Sequence, residues 1–129
     1  MSFKTIYKLN KRKDEKLYLM GLELTTYEDE LGFSSTEFKE IQEIRGIIQQ
    51  PQVQSIEEKG EESNPEYVGY FLPDFIIDTD KVADYRIKYV RKHETLILKI
   101  EEYNPNLFLK GKRDHIKLGL ILEKKYGNS

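Results

Sequence analysis

The sequence predicts a mainly β protein, and the prediction rests on four short runs between Tyr67 and Lys124. Each run is rich in aromatic and branched residues, and turn-forming or charged residues separate it from the next. The runs are Tyr67–Leu72, Arg86–Val90, Thr95–Tyr103 and His115–Lys124. Apolar and polar residues alternate with period two in the last three runs, which is typical of half-buried antiparallel strands.

The alternation also predicts which side chains form the core. We expect these residues to be buried together: Tyr70, Ile87, Tyr89, Leu96, Leu98, Ile100, Leu118 and Leu120. Lys88, Lys99 and Glu101 fall on the opposite face. In the last run, Gly119 and Ile121 make the second face less polar, so we expect another part of the chain or another subunit to cover it.

Length and composition indicate one domain in a reducing compartment. The chain has 129 residues, 34% of them charged, a net charge of −2 and no cysteine. This length suits one domain, and the lack of cysteine excludes disulfides and thiolate metal sites. The small net charge gives no global attraction to nucleic acid or membrane. No apolar run approaches the ~20 residues of a membrane helix and no signal-peptide core opens the chain, so we expect a soluble intracellular protein or one packed inside an assembly.

Residues 1–16 are predicted to be an N-terminal arm. Ser2–Leu9 alternates weakly, which fits an edge strand or an extended arm, and the charged stretch Asn10–Lys16 fits a solvated turn. The basic triplet at residues 11–13 is too short to indicate a phosphate site by itself.

Leu17–Thr26 is a predicted strand whose two faces differ in polarity. The more apolar set is expected to face inward: Tyr18, Met20, Leu22, Leu24 and Thr26. Tyr27–Phe33 is interpreted as an acidic turn around Gly32. Its carboxylates lack the spacing of a calcium loop, so no metal site is predicted.

Ser34–Gln50 fits two structures. Ser34 and Glu37 match a capping box, and apolar residues at helical spacing continue to Ile48, which favours a helix slightly. Gly46 costs a helix about 1 kcal/mol relative to alanine. The residues around it also alternate as in a strand, so both structures stay open.

The segment Pro51–Glu66 is expected to be a long loop, because it is polar and acidic and carries prolines near both ends. Loops of this length in compact domains are usually functional or disordered. Shorter turns are predicted at Asp78–Asp80, Arg91–Glu94, Asn104–Asn106 and Lys110–Asp114, and the tail from Tyr126 is expected to fray.

No arrangement of residues indicates catalysis or cofactor binding. His93 falls in a predicted hairpin loop and His115 opens the last strand, and neither has the spacing of a metal or catalytic motif. The sequence has no glycine-rich phosphate loop. We therefore predict that the chain is not an enzyme and uses neither a cofactor nor a metal.

Two basic clusters raise the alternative of single-strand nucleic-acid binding. They are Arg86, Lys88, Arg91 and Lys92, and then Lys110, Lys112 and Arg113. Small β-barrels bind single strands through sheet aromatics and a basic groove. Acidic residues outnumber basic ones here, and aromatic residues in strands usually belong to the core, so this function is not favoured.

From Leu17 to the end, the order of motifs resembles the small head-closure or head–tail stopper proteins of tailed bacteriophages, including minor capsid proteins. The motifs that carry the resemblance are the strand and acidic turn ending at Phe33, Thr36-Glu37-Phe38, Ile44–Gln50 (IRGIIQQ), Tyr67–Phe71 (YVGYF), Asp84–Ile87 (DYRI), Thr95–Glu101 and Asp114–Leu120 (DHIKLGL). The first nine residues have no counterpart, and Arg86 stands where these proteins often have a lysine or an apolar residue.

The resemblance implies a small antiparallel β-barrel of five or six strands with one long loop. It implies a strand at Ile44–Gln50 and at most a short helix before it. The single domain then spans residues 1–129, with the arm at 1–16, the barrel at 17–124, the loop at 51–66 and a tail at 125–129.

The resemblance also implies a structural virion protein of the phage neck. In that family, a ring of copies below the portal closes the DNA-filled head and connects it to the tail. The implied partners are the chain itself, the portal or adaptor protein, the tail terminator or tail tube protein, and packaged DNA without sequence-specific contact, with no membrane. The implied location is the virion neck, and the host cytoplasm before assembly.

The loop that faces the channel in that family matches part of the acidic segment. The implied channel-facing residues are Val53, Gln54, Ser55, Ile56, Glu57, Glu58, Lys59, Gly60, Glu61 and Glu62. A negatively charged loop would not adhere to the DNA that passes it. The alternative function is a small intracellular inhibitor or adaptor that binds a host or phage protein.

Overall fold

Strands dominate the computed structural model, which describes residues 2–28, 34–50 and 66–127 and, within them, all side chains except those of residues 23–28 and 34–36. The strands form one antiparallel sheet, which confirms the mainly β prediction. In chain order the elements are helix α1 (Phe3–Asn10), strands β1 (Lys16–Glu28), β2 (Ser34–Ile44), β3 (Gly46–Gln49) and β4 (Tyr67–Phe71), a 3-10 helix (Thr79–Asp84), and strands β5 (Tyr85–Val90), β6 (Glu94–Leu109) and β7 (Lys112–Gly127).

The two edge strands of the sheet are consecutive in the sequence. The seven strands follow the order β2-β1-β5-β6-β7-β4-β3, and only Arg45 separates the outermost strands, β2 and β3. The sheet must therefore curl until these edges approach, although β2 and β3 form no ladder with each other in the described residues. At the junction, the Leu72 N–H donates to the Arg45 carbonyl at 2.9 Å, and the Arg45 guanidinium lies 2.6 Å from the Asp74 carboxylate.

The core collects buried side chains from every strand of the sheet and from the segment after β4. Its members are Leu17, Leu19, Ile44, Ile48, Phe71, Phe75, Ile77, Ile87, Tyr89, Leu96, Leu98, Ile100, Ile116, Leu118 and Leu120. Every residue predicted for the core belongs to this cluster except Tyr70. Burial of these apolar side chains is the main force that holds the curled sheet together.

Tyr70 was assigned to the wrong face of β4. Phe71 is fully buried, whereas Tyr70 is half-buried on the other side of the sheet. The space opposite each side chain decides which residues of β4 face the core, because Phe71 pairs directly with Gly46 on β3. A Cβ at Gly46 would lie 2.6 Å from the carbonyl oxygen of Tyr70 and closer still to the Phe71 ring, so only glycine leaves room there.

The predicted inward face of β1 is also wrong. Leu17 and Leu19 are buried, while Tyr18 and Met20 are half-buried and Leu22 is exposed. β1 pairs with β5 through Leu17↔Tyr89 and Leu19↔Ile87, and this register puts the odd-numbered residues on the core side. The pairing partner decides the face, although the even-numbered set is the more apolar.

Residues 34–50 are strand and not helix. β2 pairs with β1 from Leu17↔Ile44 to Glu28↔Ser34, and this ladder outweighs a weak local helix preference. The strand implied at Ile44–Gln50 is confirmed for Gly46–Gln49. The resemblance allowed at most a short helix before it, and Ser34–Ile44 is strand throughout.

The N-terminal residues form a helix instead of an edge strand or an extended arm. The side chain of Ser2 caps α1 and accepts a hydrogen bond from the Thr5 N–H at 3.4 Å. Phe3 is buried, and the ring of Tyr7, one turn later, lies 6.5 Å from it. The spacing of Phe3 and Tyr7 fits both a strand and a helix, so the alternation there was misleading.

The β6–β7 hairpin is longer than predicted. β6 continues through Asn104–Asn106, where a break was expected, and a register shift there absorbs Pro105. The turn between the strands contains only Lys110 and Gly111. β7 extends to Gly127, so it includes part of the predicted tail.

Two of the shorter predicted turns have different outcomes. The hairpin loop Arg91–Glu94 is confirmed by a 2.8 Å hydrogen bond from the Arg91 N–H to the Glu94 carbonyl. The turn predicted at Asp78–Asp80 is the start of the 3-10 helix, which Asp78 caps.

Candidate assembly surface

The distal part of the β6–β7 hairpin forms an arm, residues 104–115, which we call the hairpin arm. The ladder of β5 with β6 ends at Arg86↔Lys99, and that of β4 with β7 ends at Phe71↔Ile116. Beyond these points the two strands of the arm pair only with each other in the described residues. At the usual strand rise the six residues 104–109 of β6 span about 20 Å, and the four residues 112–115 of β7 run back beside them.

The arm ends in exposed apolar and basic side chains. Phe108 is 60% exposed and Leu109 is 39% exposed, and across the ladder they pair with Arg113 and Lys112. Lys110 is also exposed. None of the three cations has an ion-pair partner among the described residues, so the tip carries a local charge of +3 in a protein of net charge −2.

The turn at the tip has a backbone that suits glycine. Both central residues have positive φ angles, 51° at Lys110 and 79° at Gly111. Two consecutive positive φ angles define a type I′ turn, whose twist matches that of the strands it connects. The turn therefore lets the two strands of the arm stay paired to the last pair, Leu109↔Lys112.

The base of the arm is fixed to the rest of the protein on both sides. The Ile77 N–H donates to the Tyr103 hydroxyl at 3.3 Å. On the other side, the Phe3 N–H donates to Asp114 Oδ1 at 3.0 Å, and His115 Nδ1 lies 2.8 Å from Asp114 Oδ2. Burial raises the pKa of Asp114, but the hydrogen bonds from Phe3 and His115 outweigh burial and hold this pKa below its usual value.

The second exposed feature is the outer edge of β2, which we call the open edge, residues 37–43. In the described residues β2 pairs with β1 alone. Three carboxylates lie along it, Glu37, Glu40 and Glu43, with Lys39 as the cation among them. Ile41 occupies the register shift between β2 and β1 and is 55% exposed.

Most of the first predicted basic cluster is neutralised. Arg86 is 9% exposed; its Nε and Nη2 contact the Glu123 carboxylate at 3.0 Å, and its Nη1 donates to the Ala83 carbonyl at 2.7 Å. The hydrogen bond from Arg86 lowers the pKa of Glu123, against the effect of burial. Lys88 Nζ lies 2.6 Å from Glu40. The alternation placed Lys88 correctly on the outer face but gave no signal that Arg86 is buried there.

Between the turn that follows α1 and the β5–β6 loop, charged side chains line a shallow cavity of about 440 Å³. The Glu15 carboxylate lies 3.2 Å from Arg12 and 3.8 Å from Arg91, and Arg91 also contacts Glu94 at 3.0 Å. Burial, with Glu15 as a further cause, raises the pKa of Tyr89 well above its usual value. The cavity contains charges of both signs that already pair with one another, so it offers no uniform field to a charged ligand.

The structure locates the two histidines considered in the sequence analysis but not the implied channel-facing residues. The implied channel-facing residues, Val53–Glu62, lie outside the described residues, as do Asp29 and Glu30 of the acidic turn. His93 lines the charged cavity, and His115 packs between Phe3 and Tyr70 with ring distances of 5.4 and 6.0 Å.

The described residues also bear on metals and membranes. They contain no group of three or more His, Cys, Asp or Glu side chains arranged to hold a metal ion. No helix within them has the length and apolarity needed to cross a bilayer.

A comparison with protein-family models found no match to this chain, and a comparison with curated proteins found no relative.

Proposed function

We propose that this chain is a structural subunit of a phage neck that forms a ring below the portal, closes the DNA-filled head and connects it to the tail. The observation that carries the proposal is the pairing of β3 with β4. It holds Gln49 beside Val68, so the acidic segment between them leaves and re-enters the sheet at one place. The resemblance requires a long loop there, on a rigid β scaffold.

We further infer that the curled sheet acts as the barrel of this family. The two edge strands are joined through Arg45, and the segment after β4 places Phe75 and Ile77 in the core beside them. Gln42 on β2 donates from Nε2 to the Asp74 carbonyl at 3.3 Å. These contacts support a barrel in which residues 72–77, instead of a seventh ladder, fill the gap between β3 and the Gln42–Arg45 end of β2, and residues 37–41 of β2 lie beyond the contacts of this segment.

The test replaces Val53–Asn64 with a short Gly-Ser linker. The thermal midpoint of the purified protein should change little, because a change in the length of a loop costs little free energy. Phage that carry the replacement should package DNA but yield heads that leak it or fail to join tails. A matched control replaces the same residues with a shuffled order of themselves, which keeps length and charge.

Three outcomes would count against the proposal. Unfolding of the trimmed protein would show that the segment belongs to the core. Normal assembly of phage with the trimmed protein would remove the closing role of the loop and favour the inhibitor or adaptor alternative. Electron microscopy of the protein with its portal that showed no ring would contradict the neck location directly.

A further inference from the structure

We propose that the hairpin arm of one copy adds to the open edge of β2 in the next copy, so that neighbouring subunits share a continuous sheet. This inference rests on the proposed ring and assigns the two surfaces that meet in it. The two surfaces are different parts of the chain, and contacts between different surfaces generate rings when the rotation closes.

Backbone pairing supplies the first argument. An edge strand presents unpaired N–H and C=O groups that accept a strand from another chain. In the part of the chain that the structure describes, β2 has no ladder on its outer side, and beyond Asn104 the two strands of the arm have no ladder except with each other. In one chain β1 and β5 lie between β2 and β6, so this pairing joins two copies.

Charge supplies the second argument. The tip of the arm carries Lys110, Lys112 and Arg113, whereas the open edge carries three glutamates and Lys39. Glu40 already pairs with Lys88 at 2.6 Å and Glu37 lies 3.8 Å from Lys39, so the open edge and these cations together keep a net charge of −1. Opposite charges on the two edges favour their association and disfavour contacts of arm with arm or edge with edge.

Exposed apolar side chains supply the third argument. Phe108 is 60% exposed, Leu109 is 39% exposed, and Ile41 on the open edge is 55% exposed. In a shared sheet each would lie beside a side chain of the neighbouring strand and lose part of its contact with water. Aromatic residues and arginine are both enriched at protein interfaces, and Phe108 pairs with Arg113 at the tip.

Two other occupants of the arm fit less well. Insertion into a lipid bilayer would bury Lys110 first, because this lysine lies at the very tip, beyond Phe108 and Leu109. Nucleic acid would satisfy the three cations but would leave the open edge of β2 and Ile41 unused. A second copy would pair the backbone groups of both edges, bring opposite charges together and cover the exposed apolar side chains.

The experiment reverses charge on each surface separately and then on both. One variant carries K110E and K112E, a second carries E37K and E43K, and a third carries all four substitutions. Sedimentation velocity of each purified full-length protein at 50 and 500 mM NaCl gives the self-association constant. A matched control for K110E/K112E, K4E with K13E, makes the same change in net charge at exposed positions near the N-terminus.

We expect each two-site variant to associate at least about tenfold more weakly than the original chain, since like charges then meet across the contact. The four-site variant should recover to within about threefold, and high salt should weaken the original chain and the four-site variant alike. The K4E/K13E control should associate like the original chain. Circular dichroism and thermal midpoints should match throughout, because all the altered side chains are exposed.

Several results would overturn this inference. A chain that stays monomeric at every concentration, or a four-site variant that fails to recover, excludes the arm-to-edge contact. Unchanged association of K110E/K112E, together with lost retention of a duplex oligonucleotide, would make the arm a nucleic-acid contact instead. The loop replacement in phage is scored separately, so a failed arm contact and a failed neck function give distinguishable results.

Discussion

The two halves of the β6–β7 hairpin obey the same pairing rules but have opposite relations to solvent. In the proximal half, Leu98 faces the core opposite Leu122, and Leu118 and Leu120 are fully buried. In the distal half, Phe108 and Leu109 are paired just as regularly and remain exposed. The difference lies in the neighbours, because β4 and β5 flank only the proximal half. A strand's own sequence gives its alternation, and the strands beside it decide whether that alternation is buried.

The largest effect is expected when one leucine in each half of the hairpin is replaced by alanine. Leu98→Ala should lower the free energy of unfolding by about 2–5 kcal/mol, the usual range for a fully buried leucine. Leu109→Ala should lower it by less than about 1 kcal/mol, because the side chain already contacts water. Urea denaturation of the two variants measures both values. Equal losses would show that the arm belongs to the cooperative core.

A second test compares two arginines. Arg86→Ala should lower the free energy of unfolding by about 3 kcal/mol, the low end of the range for breaking a buried ion pair, since Glu123 keeps some contact with water. Arg86 also lies 4.3 Å from the centre of the Phe38 ring and so helps to hold β2. Arg113→Ala, on the arm, is the matched control and should change stability by less than about 0.5 kcal/mol. A small loss for Arg86→Ala would show that Glu123 finds another partner.

The inward phase of Ile87, Leu98 and Leu118 could be predicted because a lysine adjoins each of them, at residues 88, 99 and 117. The length of β6 could not be predicted, because Pro105 and the asparagines beside it are typical of a turn. In β1 and β4 both faces contain apolar residues. Their phase depends on partners far away in sequence, Tyr89 for Leu17 and Gly46 for Phe71, which no local pattern reveals.

The candidate surfaces were harder to predict than the core. Lys110, Lys112 and Arg113 were visible as a basic cluster, but their position on a projecting arm depends on how far β4 and β5 extend. The open edge of β2 depends on strand order, which is a property of the whole sheet. The implied channel-facing residues came from resemblance and not from pattern, and they remain a prediction.

A third prediction concerns Asp114, which joins the base of the arm to α1. Asp114→Asn should lower the free energy of unfolding at pH 7 by about 1.5 kcal/mol, as expected for a hydrogen bond to a charged acceptor. The pKa of Asp114 is lower in the folded protein than its ordinary value, so the unfolded chain takes up the proton first. This stability is therefore present above about pH 4 and is lost as the pH falls through the folded pKa.

The measurement for Asp114 is urea denaturation of the original chain and the variant at pH 7 and pH 3. The difference between them should shrink at pH 3. Glu102→Gln, at an exposed carboxylate on β6, is the control and should show a small difference at both pH values. If the difference in free energy of unfolding between the original chain and Asp114→Asn stayed constant with pH, packing and not the charge of Asp114 would hold α1 against the arm.

The smallest expected effect lies at the tip of the arm, where Gly111 has a φ of 79° and an added Cβ would meet no atom within 4 Å. Gly111→Ala should therefore cost only backbone strain, about 1 kcal/mol. Lys110→Asn should lower the strain at the other turn position, because asparagine tolerates positive φ better than lysine. Since the two strands of the arm pair only with each other among the residues that the structure describes, both changes should appear in amide hydrogen exchange of residues 104–115 and leave exchange in the buried part of β6 unchanged. Faster exchange around Leu98 in Gly111→Ala would show instead that the two halves of the hairpin unfold as one unit.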